Sequence, residues 1–287
     1  MKRPKLKRLM LKRLKLKRLM LSEPVRARTR NPPFLVPALA AAVLCLTAIA
    51  PGVAMVGGAP AATGVMRNSV VTILSSYGTF CTATAIARDL LLTAGHCVEP
   101  DGHYKLAETV PGQVPVLKDV VRTARHPQFD IKRLLSHLAT ADVALLKLGE
   151  PERITPARLA GADEQVAVGD TLTVAGIGVT VRGADRLDGL AHAATLAVTG
   201  HPSSLEVRLF DPATKGVSAG LGACTGDSGA PAFRNDNGSL VIIGIVSWST
   251  GPNLTGGCGG LTGLTPLARY RPWIADAAKS LGSPIEP

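Results

Sequence analysis

Acidic residues are almost missing from the first 30 positions of this 287-residue chain, where Glu23 stands alone against 13 of the 32 Lys and Arg. Beyond that stretch, 19 basic residues face 20 acidic ones, so the formal charge of +11 belongs to the leader and not to the folded part. This balance excludes a nucleic-acid partner held by net charge. Cysteine is scarce as well. There are five, and no two stand at the close ligand spacing of a structural zinc site, so the sequence offers no metal site of that kind. The apolar run from Phe34 to Ala50 has 17 residues, broken only by Pro37 and Thr47. That is short of the roughly 20 residues that cross a membrane comfortably.

What is present at the N-terminus reads as export machinery. Lys5 to Leu11 (KLKRLML) recurs at Lys15 to Leu21, but its leucines scatter around a helix axis instead of forming one stripe. The repeat is read as an over-long basic n-region or the product of an upstream start codon, with Met20 opening a shorter leader. The apolar run behind the positive charge suits a signal h-region. Gly52 and Ala54 supply a small-x-small site for cleavage after Ala54. Ala48 to Ala50 fits by residue type, but Pro51 follows and suits a protease cleft poorly. Leu44 before Cys45 argues against a lipoprotein anchor. The expectation is a secreted or periplasmic protein, with membrane contact only through an uncleaved leader as the alternative. Removing residues 1–54 leaves Cys81, Cys97, Cys224 and Cys258, an even count that reads as two disulfides with three possible pairings.

The remainder is rich in short β runs: 70–74, 90–93, 143–148, 171–175, 195–198, 205–209 and 240–246, most of them punctuated by Gly, Pro, Asn or Asp. Such a pattern predicts an all-β sandwich or barrel. Pro272 to Leu281 predicts a C-terminal helix, with proline in its first turn and Gly282 just beyond. Residues 151–163 are polar and aperiodic, as a connector between two halves would be.

Three short strings carry the chemistry. Ser228 sits in Gly226-Asp227-Ser228-Gly229-Ala230-Pro231, His96 in Thr93-Ala94-Gly95-His96-Cys97, and Asp142 begins Asp142-Val143-Ala144-Leu145-Leu146-Lys147-Leu148. A serine hydroxyl is a weak nucleophile until an imidazole takes its proton, and the imidazole needs a carboxylate to fix its tautomer. With these strings in the order His, Asp, Ser, the chain from Met55 to about Leu281 resembles the chymotrypsin/trypsin family of serine endopeptidases.

The resemblance implies an all-β fold of two antiparallel six-stranded β-barrels with a C-terminal helix. One barrel would lie in residues 55–160, on the His and Asp side, and the other in 161–287, on the Ser side. It implies Ser228 as nucleophile, His96 as general acid and base, Asp142 as orienting carboxylate, and the amides of Gly226 and Ser228 as an oxyanion hole. It pairs Cys81 with Cys97 and Cys224 with Cys258, and it makes Ser247-Trp248-Ser249 the strand that receives an extended substrate. Met55-Val56-Gly57-Gly58 stands where the family's mature N-terminus Ile-Val-Gly-Gly should be, 26 residues before Cys81, so a freed Met55 amine would pair with Asp227. Signal cleavage after Ala54 would then itself yield the active form. Gly222 stands where trypsin-type members carry an acid, Ala223 follows, and Gly263 is assigned to the far wall of the pocket. This implies an apolar P1 residue, medium to large because glycines leave the slot open, with Ser249 narrowing its entrance. The implied partners are polypeptide substrates and protein protease inhibitors, with no cofactor, no metal and no nucleic acid. His126 resembles a family loop segment, and His103, His137, His192 and His201 read as loop or surface positions.

Overall fold

The computed structural model describes residues 55–108, 113–136, 138–184 and 187–285. The readings made on residues 1–54 and on His137 lie outside the described residues. Six strands close an antiparallel barrel: β1 (Val70–Ser75), β2 (Phe80–Ala87), β3 (Leu90–Thr93), β4 (Tyr104–Glu108), β5 (Val116–Arg125) and β6 (Ala144–Leu148), in the order β1-β2-β3-β6-β5-β4. A second sheet follows, with β7 (Arg158–Leu159), β8 (Thr171–Gly176), β9 (His192–Thr199), β10 (Val207–Phe210), β11 (Pro231–Asp236), β12 (Ser239–Ser249) and β13 (Leu261–Pro266). Its order is β11-β8-β9-β10-β13-β12, closed by pairing of β11 with β12, and β7 adds to β12 as a parallel edge strand. The expected connector therefore contributes a two-residue strand to the second sheet. Among the described residues, the α-helices are α1 (Gly64–Ser69), α2 (Ile131–Leu135) and α3 (Arg271–Ser280).

Side-chain alternation explains how the barrels meet. In β3 and β6 nearly every residue is buried, because these strands serve two cores at once. Leu91, Ala144, Leu146 and Leu148 point into the first barrel with Ile73 and Leu106. Leu90, Leu92, Val143 and Leu145 point the other way, into a cluster with Ala175, Ile177, Phe233, Ile242 and Ile245 of the second barrel. Burying one such leucine stabilises the fold by about 1.5–3 kcal/mol. Helix α3 seals this seam with Ile274, Ala277, Ala278 and Leu281. Its end is fixed by Gly282, at φ +80°, and by bonds from Gly282 N to Lys279 O and from Ser283 N to Ala278 O. Among the described residues no helix is long and apolar enough to cross a membrane.

Candidate active site

His96 and Asp142 leave the ends of neighbouring strands. Thr93 of β3 pairs with Ala144 of β6, so the short turn Gly95–Cys97 and the residue two before Ala144 stand side by side. Gly95 permits this approach. A Cβ there would come within 3.1–3.3 Å of Val143 N, Asp142 Oδ1 and the Phe129 ring. Asp142 is fully buried and accepts three hydrogen bonds. His96 N donates to Oδ1 at 2.8 Å, His96 Nδ1 lies 2.8 Å from Oδ2, and Ser247 Oγ donates to Oδ2 at 2.5 Å. Burial opposes charging of the His96 ring, but the charge and hydrogen bond of Asp142 outweigh it and raise its pKa above the ordinary imidazole value.

Ser228 reaches the same cleft from the second barrel. Its loop is stitched to the first barrel through Thr82, which is fully buried on β2. Thr82 N donates to Ser228 O at 2.9 Å, and Thr82 Oγ1 donates to Gly226 O at 2.8 Å while accepting from Ile177 N at 3.2 Å. Gly226 and Gly229 hold φ of +92° and +82°, which only glycine adopts freely. A Cβ on Gly226 would strike the Phe80 ring at 2.2 Å, and one on Gly229 would strike Thr93 Oγ1 and Thr82 O. The amides of Gly226 and Ser228 donate to no acceptor among the described residues.

The cleft, about 670 Å³, is lined by His96, Ser228, Gly226, Phe80, Ser249, Gly257 and the two disulfides, among others. Cys81 bonds Cys97 and Cys224 bonds Cys258, the pairing that the resemblance implied. Ser247 turns its hydroxyl to Asp142, a contact that the sequence reading missed. Beyond Ile245 the β11 pairing of β12 ends, so Ser247, Trp248 and Ser249 have β13 on one side and, among the described residues, an edge without a strand on the other.

The pocket floor differs from the expectation at one residue. Gly263 pairs with Trp248, and a Cβ on it would lie 2.0 Å from the Trp248 indole, so its missing side chain makes room for that ring. The residue facing Gly222 and Ala223 is Thr262, whose Oγ1 accepts from Ala223 N at 3.0 Å and lies 3.4 Å from the position of a Cβ on Gly222. Ser249 Oγ donates to Gly257 O at 3.2 Å, across the pocket mouth.

Asp227 is fully buried. Its carboxylate accepts from Gly178 N and Cys224 N, each at 2.8 Å, and Gly176 and Gly178 leave the space it fills. Burial pushes its pKa up to about 7, against the pull of those two backbone bonds. Met55 is also fully buried, in the core of the second barrel with Ala223 and Ala230. Val56 bridges to Gly222, and Gly57 lies where a Cβ would strike Gly220 O at 2.4 Å. No hydrogen bond joins Met55 to Asp227 among the described residues.

Among the other histidines, His103 and His201 are exposed, as expected of loop positions. His126 packs its ring on Tyr270 and Trp273, and burial lowers its pKa. His192 contradicts its surface reading: it opens β9 and is almost fully buried, because strand alternation turns it inward.

The family model described as Trypsin matches residues 55–274, which takes in both barrels and all three strings. With the two-barrel fold in place, the chain belongs to the trypsin family and is a serine endopeptidase of the chymotrypsin/trypsin type.

Proposed function

We propose that the chain is an exported endopeptidase in which Ser228 attacks the scissile carbonyl as His96 takes its proton, with Asp142 holding the imidazole. The observation that carries this reading is the threefold hydrogen bonding of one buried carboxylate, Asp142, beside a cleft shared by His96 and Ser228. A carboxylate so held keeps Nδ1 protonated and leaves Nε2 as the acceptor. The free amides of Gly226 and Ser228 then receive the oxyanion, and donors of this kind are worth about 10²–10³ in rate. His96 then gives that proton to the leaving amine as the C–N bond breaks, and the acyl-enzyme is hydrolysed by water activated through the same imidazole, which restores the Ser228 hydroxyl.

The chain is active after cleavage between Ala54 and Met55, on this reading. Met55 holds φ +55°, a conformation that costs a non-glycine residue about 1–3 kcal/mol. Cutting the preceding peptide bond frees that torsion and supplies an amine to the buried Asp227, which among the described residues has two amide donors and no cation. Residues 1–54 are then a removed leader. The P1 side chain is apolar and small to medium in size. No acid stands at Gly222, Ala223 or Thr262, and Thr262 with the Ser249–Gly257 bond limits depth and width.

A fluorophosphonate probe tests the reading. It should label the processed protein and not Ser228→Ala, and labelling of both sinks the assignment. On a peptide panel, Ala or Val at P1 should be cut faster than Phe, and Thr262→Gly should move the preference toward Phe. Preference for Lys or Arg refutes the pocket.

A further inference from the structure

His192 has no place in the chemistry above, yet its ring is only 2% exposed and both of its nitrogens have acceptors. Nδ1 lies 3.1 Å from Ala59 O, and Nε2 lies 2.9 Å from Asp188 Oδ2. Both partners thus lie within hydrogen-bond distance of the two ring nitrogens. Asp188 is itself fixed, since its other oxygen accepts from Leu190 N at 2.9 Å. The ring thus joins two segments that are far apart in the chain.

Those segments flank the N-terminal stretch. Ala61 bridges to His192, with Ala62 N bonded to Ala191 O and Ala193 N to Pro60 O on either side. Further upstream, Val56 bridges to Gly222 and clusters with Val179 and the Cys224–Cys258 disulfide; Leu187, one residue before Asp188, packs against that cluster. Between the two bridges stand Gly57 and Gly58, both at positive φ. Glycine loses more freedom on ordering than any other residue, so this pair is the weak point of the segment. Ala59, the first residue after it, is the one whose carbonyl His192 holds.

We propose that His192 is a positioning residue for the oxyanion loop: by tying Ala59 to Asp188 it keeps the Gly57–Gly58 turn ordered and the Met55 amine at Asp227. The proposal rests on the reading that this amine pairs with Asp227.

The test uses protein processed to begin at Met55. His192→Leu should lower kcat/KM about tenfold or more, mainly through kcat, as a poorly formed oxyanion hole does. Its Met55 amine should be acylated faster than in wild type, read by mass spectrometry. Ala61 and His192 form a non-hydrogen-bonded antiparallel pair, whose Cα atoms lie about 4.5 Å apart, within disulfide reach. The oxidised Ala61→Cys/His192→Cys variant should therefore recover activity, while Ala61→Cys/His192→Ala should not. These two variants decide the matter if His192→Leu fails to fold. A His192→Leu protein that melts lower but keeps wild-type kcat/KM and a protected amine overturns the proposal, as does a folded, cross-linked variant without activity. If acetylating Met55 leaves the wild type fully active, the Met55–Asp227 reading falls and takes the proposal with it. If acetylation abolishes activity while His192→Leu is unimpaired, only the His192 proposal falls.

Discussion

At the residue scale, Thr82 has the most to do outside the three strings. Its hydroxyl joins Gly226 O to Ile177 N, and its amide holds Ser228 O, so one side chain of the first barrel sets the loop of the second. Thr82→Val keeps the shape and removes the hydroxyl, leaving two buried polar groups unpaired at about 1–3 kcal/mol each. We expect kcat to fall about tenfold or more, with Thr82→Ser staying within about threefold of wild type. Steady-state kinetics on one peptide substrate check this, and equal kcat in the two variants removes Thr82 from the positioning of the loop. The three strings themselves were legible because each is a run of consecutive residues: glycines and small residues around His96 and Ser228, and an apolar strand behind Asp142. Thr82, Thr262 and the inward turn of His192 were not. Their roles depend on which face of a strand they occupy, and a shift of one residue in register exchanges the faces. Gly263 and Thr262, one position apart on β13, face opposite ways for the same reason.

At the element scale, the strands legible in the sequence were those dense in apolar and β-branched residues, such as β3, β6 and β12. β2 (FCTATAIA) was missed because its small and polar residues are buried by the barrel seam without looking hydrophobic. β5 (VLKDVVRTAR) was missed because it is largely exposed and carries charge at four positions. α3 was found almost to the residue, since proline near its start and glycine past its end mark both limits. The disulfide between Cys81 and Cys97 clamps β2 to the histidine turn. Closing a loop of this size stabilises by about 3 kcal/mol. Replacing both cysteines with serine should lower the free energy of unfolding by about that amount in denaturant titrations. An unchanged midpoint would show that the clamp adds no stability.

At the scale of the whole molecule, the buried Asp227 couples processing to pH. In a form that retains residues before Met55, its folded pKa of about 7 lies above the ordinary 3.8, so the folded state binds the proton more tightly than the unfolded chain. The resulting stability is fully present below about 3.8 and is lost as pH rises through about 7. On the proposed pairing, a freed Met55 amine would keep the carboxylate ionised and remove this slope. Melting temperatures between pH 4 and 8 should therefore fall with pH for the extended form and not for the processed one. Parallel curves would show that the amine does not reach Asp227.

The order in which the seam is assembled has a further consequence. Residues from β3 and β6 form half of the seam early in the chain, but Ile274, Ala277, Ala278 and Leu281 of α3 close it only at the end. Ser283 Oγ then bonds Asp89, back at the β2–β3 turn. A growing polypeptide that already carries Ser228, His96 and Asp142 still lacks the wedge that brings their two halves into register. Truncation after Tyr270 should yield a chain that no fluorophosphonate labels, whereas labelling at the full-length rate would show that the barrels dock without the helix. On this account α3 bears on catalysis without lining the cleft, by completing the seam on which the two halves of the site meet.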